Sequence, residues 1–281
     1  LFGNDYSIAV VITGIILTIC VALVVLGGIQ RIASVSSVIV PFMAVFYIIA
    51  CIAILVLNAA RIPAAFAEII QSAFGLRAAA GGALGAVLIA MQKGIARGIF
   101  SNEAGLGSAP IAAAAAQTKE PARQGLVTMT GTFIDTIIVC TMTGLCIVLT
   151  GSHTAGLEGV AVTTRAFQMG LPVPAQFSAF LLMMCLIFFA FTTIIGWNYY
   201  GERCLEYLSN GSQKAVMAYR FLYILAIFIG PFMTVEAVWT IADIFNALMA
   251  FPNLIALLSL SGVVVAETQS YLKRMNLTRV K

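Results

Sequence analysis

The feature that most constrains this chain is a stretch such as 174–200, in which no charged residue occurs. The hydrocarbon core of a bilayer is about 30 Å thick and takes about 20 apolar residues per helix, so a run of this kind is long enough to cross it. The same reading finds spans at 8–27, 35–57, 124–150, 215–232 and 244–266, and an interrupted one at 82–118. Composition agrees: 61% of the 281 residues are hydrophobic and 9% are charged, against about 25% charged in ordinary soluble domains. The sequence therefore predicts an all-α integral membrane protein, one transmembrane domain with about seven helices, one of them discontinuous. A net charge of +4, thinly spread, gives no basic face for nucleic acid.

The six cysteines form no CxxC pair and five lie in apolar runs, so neither a disulfide framework nor a zinc site is implied. His153 is the only histidine, and no HExxH, GxSxG or paired-histidine pattern occurs. The sequence thus predicts neither an enzyme nor a cofactor. Residues 58–81 carry Arg61, Glu68 and Arg77, and 63–70 read as a short amphipathic helix on the membrane surface. Ten Lys and Arg fall in the loops near 31, 119–123, 203–220 and 273–281, against Arg61, Arg77 and Arg165 on the other side. The excess of positive charge predicts a cytoplasmic C-terminus with a tail over 267–281. The chain begins at Leu1, without the features of a signal peptide, and reads as the N-terminally truncated part of something longer.

The interrupted span is the most informative. Its apolar run stops at Gln92-Lys93, Arg97, Asn102 and Glu103 precede Gly105-Leu106-Gly107, and Ser108-Ala109-Pro110 opens a second run. Ser before Pro is a helix start, and two glycines loosen the chain ahead of it. Irregular backbone at membrane depth is tolerated only where it is buried in protein or lines a cavity, and glycine-interrupted spans point to transporter binding sites. A first half-helix ending near Ile99 offers carbonyls to an ammonium, and a second starting near Ser108 offers N–H groups to a carboxylate, which suits a small zwitterion. The alternative is a loop followed by a short alanine-rich helix.

Asp135 lies about mid-span, where an ionisable group costs at least about 2.5 kcal/mol, which marks it as a cation ligand or proton carrier unless it serves a helix-to-helix hydrogen bond. Thr192 and Thr193, with the Phe189 carbonyl one turn before them, could give a hard cation three oxygens, although membrane threonines also bond back to their own helix. Trp197 lies on roughly the same face and could cover a small substrate or serve as packing. The pairs Gly81/Gly85 and Gly94/Gly98 allow close helix approach.

Gly98-Ile-Phe-Ser-Asn-Glu-Ala-Gly-Leu-Gly-Ser-Ala-Pro110, followed by the alanines of 112–116 and by Pro121-Ala-Arg-Gln-Gly125, closely resembles the alanine or glycine:cation symporter family, the sodium:alanine symporters. Ile194-Ile-Gly-Trp-Asn-Tyr-Tyr-Gly-Glu202 and Asn246-Ala-Leu-Met-Ala-Phe-Pro-Asn253 resemble two further stretches of that family. The resemblance implies a leucine-transporter-like (APC-type) fold of two inverted five-helix repeats, with the spans here as core helices four to ten. It implies sodium-coupled symport of alanine or glycine by alternating access across the cell (inner) membrane. Substrate contacts would come from Ser101, Asn102, Glu103, Ala104, Gly105, Gly107, Ser108 and Trp197. Sodium contacts would come from Phe189, Thr192, Thr193 and Asp135, with sodium as coupling ion and no cofactor. The resemblance also implies partners: the small amino acid, sodium, the lipid bilayer, and first core helices of the same protein that would precede Leu1. An ion channel and a non-transporting truncated membrane subunit are the rival readings.

Overall fold

The computed structural model describes residues 8–75 and 82–275. Arg77, Gly81 and the tail residues 276–281, all of which the sequence reading used, lie outside the described residues. Within them the chain is helical, with no strand. In chain order the helices are α1 (Ile8–Val25), α2 (Gly28–Leu57), α3 (Ile62–Ala73), α4 (Ala83–Asn102), α5 (Ala109–Ala113), α6 (Pro121–Phe133), α7 (Thr141–Leu149), α8 (Val160–Gly170), α9 (Ala175–Leu208), α10 (Gln213–Ile229) and α11 (Val235–Arg274). Five helical stretches are long and apolar enough to cross a membrane: Gln30–Leu57, Pro121–Leu149, Ala175–Leu208, Gln213–Phe232 and Val235–Arg274. A shorter apolar helix covers Val10–Val25.

These residues fall into two compact units, one over 8–70 and 142–239 and the other over the rest. In the first, α2 turns one stripe inward, with Met43, Tyr47, Ala50, Cys51 and Ile54 buried at helical spacing. Tyr47 organises the centre of this unit: its hydroxyl lies 2.6 Å from the Thr143 hydroxyl, its ring stacks on Phe167 at 5.7 Å and meets the edge of Phe189 at 5.6 Å. The outward residues of the same helices, Val38, Ile49 and Val56 among them, are exposed and apolar, as faces that meet lipid must be. The second unit holds α4, α5, α6 and most of α11. Over its 40 residues α11 has no buried residue.

Several helices run further than the apolar pattern predicts. The span expected at 35–57 begins at Gly28, so Pro41 sits inside α2 and not near its start. The first part of the loop expected near 203–220 is instead the end of α9, with Glu202, Arg203 and Glu206 inside the helix. Glu202 stays in the helix because its charge is matched: Arg220 of α10 donates from Nε and Nη2 at 2.8 Å each, and Arg203 donates at 3.0 Å. Gly201 beside it lets α10 close in, since a Cβ there would lie 2.7 Å from Cζ of Tyr219. The span expected at 244–266 extends over 235–274, with Asp243 inside the helix and ion-paired to Arg97.

The Glu202 side chain is 4% exposed and that of Arg220 15%, so removing one partner strands a buried charge, at a cost of about 3–5 kcal/mol. Arg220→Met is expected to lower the temperature at which the protein loses its monodisperse gel-filtration peak in detergent. Arg220→Met combined with Glu202→Leu is expected to recover part of that loss. A double variant as unstable as the single one would show that the pair is not what joins α9 to α10.

Candidate functional site

In the interrupted span α4 ends at Asn102, three residues beyond the predicted end, and Glu103 takes a left-handed conformation at φ 57°. That turn directs the Glu103 N–H back to the Ile99 carbonyl at 2.9 Å, so the carbonyl expected to be free for an ammonium is already taken. The second half-helix is short: α5 has five residues, with Pro110 in its first turn where no N–H is needed. Between the two, some of the polar groups are engaged within the segment. The Leu106 N–H donates to the Glu103 carbonyl at 3.2 Å, the Ala104 N–H to Oδ1 of Asn102 at 2.9 Å, and the buried Ser108 hydroxyl to Oε2 of Glu103 at 2.7 Å.

Two helices of the same unit hold this segment. On α11, Asn253 donates from Nδ2 to the Gly105 carbonyl at 2.9 Å. Gly107 is at φ +83°, and a Cβ on it would stand 3.1 Å from Oδ1 of Asn253, so both the conformation and the contact call for glycine. Beyond α6 the helix widens into a π-helical stretch over Ile134–Cys140, with Asp135 in its first turn. Such stretches recur at functional sites because they re-aim side chains within a helix. Here the Ser101 hydroxyl donates to Oδ2 of Asp135 at 2.8 Å. Asn102 donates to the Thr136 hydroxyl at 3.0 Å, which itself donates to Asp135 at 3.3 Å.

Of the residues singled out from sequence, Ser101, Asn102, Glu103, Ala104, Gly105, Gly107, Ser108 and Asp135 thus share one unit. A cavity of about 640 Å³ lies against the interruption, with Asn102, Glu103 and Gly105 on one wall, Gln124 and Thr128 of α6 on another, and Asn253 on a third. Phe189, Thr192, Thr193 and Trp197 lie on α9, in the other unit. Thr192 donates to the carbonyls of Phe188 and Phe189 at 2.9 and 3.1 Å, and Thr193 donates to Phe189 at 2.8 Å. A hydroxyl that donates its proton keeps its lone pairs, so both can still face a cation, whereas the Phe189 carbonyl already accepts two hydroxyls. Trp197 meets Tyr200 edge to face at 5.6 Å. Among the described residues no cluster of three His, Cys, Asp or Glu could hold a metal ion.

A profile of the sodium:alanine symporter family matches residues 1–280. The chain belongs to the sodium:alanine symporter family. A transporter of Haemophilus influenzae is 54% identical over 98% of this chain and 60% of its own length. A protein of Methanococcus maripaludis named as a sodium/alanine symporter is 46% identical over 96% and 58%. One of Bacillus subtilis named as a probable sodium/glutamine symporter is 39% identical over 97% and 56%. The chain spans about three fifths of the length of these curated relatives.

Sequence reasoning missed three parts of this symporter-family site. Asn253 ends the family-like stretch 246–253, which marked the residue without giving it a role at the interruption. The π-helical stretch has no composition of its own, and Thr136 carries no mark beyond standing next to Asp135. Gly107→Ala is expected to destabilise the protein by about 1–2 kcal/mol, the cost of a left-handed L-residue, and Asn253→Leu by about 1–3 kcal/mol, the cost of an unsatisfied carbonyl. Gly98→Ala, where an added Cβ meets nothing within 4 Å, is the control. Equal heat tolerance for the Gly107 and Gly98 variants in detergent would refute the packing described.

Proposed function

We propose that this chain is the part of a secondary active transporter that carries the discontinuous helix, and that the whole protein couples entry of sodium to uptake of a small neutral amino acid, alanine or glycine, by alternating access. The observation that carries this reading is the interruption at 103–108, held in a polar, glycine-dependent conformation beside a cavity, in a chain of the symporter family. Interrupted helices present backbone polar groups to substrate and ion where a continuous helix hides them.

On this reading the fold is of the leucine-transporter type, the helices correspond to core helices four to ten of that arrangement, and the C-terminus faces the cytoplasm of a cell-membrane protein. The segment 101–108 receives the amino acid, with Trp197 as a further substrate contact. Thr192 and Thr193 supply hydroxyl oxygens to sodium, a hard ion that prefers such ligands. Asp135 answers to the cation through its carboxylate. Each sodium entering down about 100 mV contributes about 2.3 kcal/mol, enough for about a 40-fold substrate gradient under tight coupling.

The test is uptake of labelled alanine by the whole native protein in proteoliposomes, with sodium and then with choline outside. Uptake that requires sodium is expected. Thr192→Val with Thr193→Val is expected to raise the sodium concentration for half-maximal uptake by about tenfold, equivalent to about 1.4 kcal/mol, and Asp135→Asn to impair coupling. Steady current without amino acid would replace the transporter with a channel, and sodium-independent uptake would remove sodium as the coupling ion.

A further inference from the structure

The wall of the cavity formed by α6 has a chemistry that the interruption does not explain. Gln124, Thr128 and Thr132 all line it, spaced by four residues and therefore on one helix face. They are half-buried, while Leu126, Val127 and Phe133, which do not line the cavity, are exposed and apolar, at 48%, 58% and 54%. The helix thus has a lipid side and a polar side. Gln124 and Thr132 make no side-chain hydrogen bond with another described residue, and the Thr128 hydroxyl donates only to the Gln124 carbonyl of its own helix, at 3.1 Å. Among the described residues these side chains thus meet no polar partner on another element. Polar groups on a membrane helix are costly unless they meet a partner or water.

Position along the helix gives the stripe its direction. The cavity begins at Thr118 and Lys119, just before α6, and reaches Asn102 and Thr132 at its far end. From Asn102 the hydrogen bonds continue to Thr136 and on to Asp135. At about 640 Å³ the space exceeds many times the roughly 30 Å³ that one water occupies in the liquid. We infer that Gln124, Thr128 and Thr132 line a water-filled path that connects the aqueous end of the helix near Lys119 to Asp135, and that this path takes a hydrated monovalent cation or a small zwitterion between the two. What moves along it rests on the transport reading above. That water reaches it does not.

The experiment places single cysteines, Gln124→Cys, Thr128→Cys and Thr132→Cys, in the whole native protein after its own cysteines have been replaced. Leu126→Cys and Phe133→Cys, at the same depth and outside the cavity lining, are the controls. Permeabilised membranes are treated with a charged, membrane-impermeant methanethiosulfonate, and modification is read by mass shift. Because only a hydrated thiol ionises and reacts, the three stripe positions are expected to react at least about tenfold faster than the two controls. Equal rates on both faces, or no reaction at any stripe position, would overturn the proposal. Each variant must keep its monodisperse gel-filtration peak to be counted, and three independent positions guard against the loss of one. Labelling is read without substrate and without transport. A protein that labels along the stripe and takes up no amino acid would therefore sink the symport reading while leaving the path intact.

Discussion

Much of this structure depends on the requirement that peptide groups shielded from water find partners within the protein. The interruption between α4 and α5 places six residues, 103–108, where no helix supplies those partners, and the unit is built around meeting that demand. Turning Glu103 left-handed sends its N–H to Ile99. Asn102 takes the next amide, Asn253 takes the Gly105 carbonyl, and Ser108 closes the loop on the Glu103 carboxylate. The glycines at 105 and 107, both at positive φ, are what this route requires. A segment satisfied in this way holds one conformation and can present the remaining polar groups to a ligand at a defined place.

The chain handles two carboxylates in apolar helices by opposite means. Glu202 receives two arginines and three charge-assisted hydrogen bonds within the α9–α10 pair, so its charge is spent internally. Asp135 receives hydroxyls, from Ser101 and Thr136. Hydroxyl donors orient a carboxylate without neutralising it, which leaves the attraction for a cation available to an ion from outside. The π-helical stretch supports this by turning Asp135 and Thr136 toward Ser101 and Asn102 of α4.

How far the sequence could be read follows the range of the interactions. The apolar runs, the interruption at Gly105 and Gly107 and the polar hydroxyls of α9 are local features, and they were legible. The far end of α9, the early start of α11 and the place of Pro41 were not, because charges and proline were read as boundaries. Arg97 and Asp243 stand 146 residues apart, and Glu202 and Arg220 stand 18 apart. Once such partners meet, a charge no longer ends a helix. The Gly105–Asn253 contact is of the same kind, spanning 148 residues, so the break in the helix was legible while its contact with α11 was not.

The α9 hydroxyls bear on how firmly a coupling ion should be held. A transporter must bind its ion well enough to take it from one side and loosely enough to give it up on the other. A full set of carboxylates would favour capture over release, and the described residues contain no such cluster. Thr192 and Thr193 are already fixed by their bonds to the preceding turn, so orienting them for an ion costs little further conformational entropy. On the proposed reading their lone pairs would offer a monovalent cation neutral oxygens, which hold it weakly and reversibly.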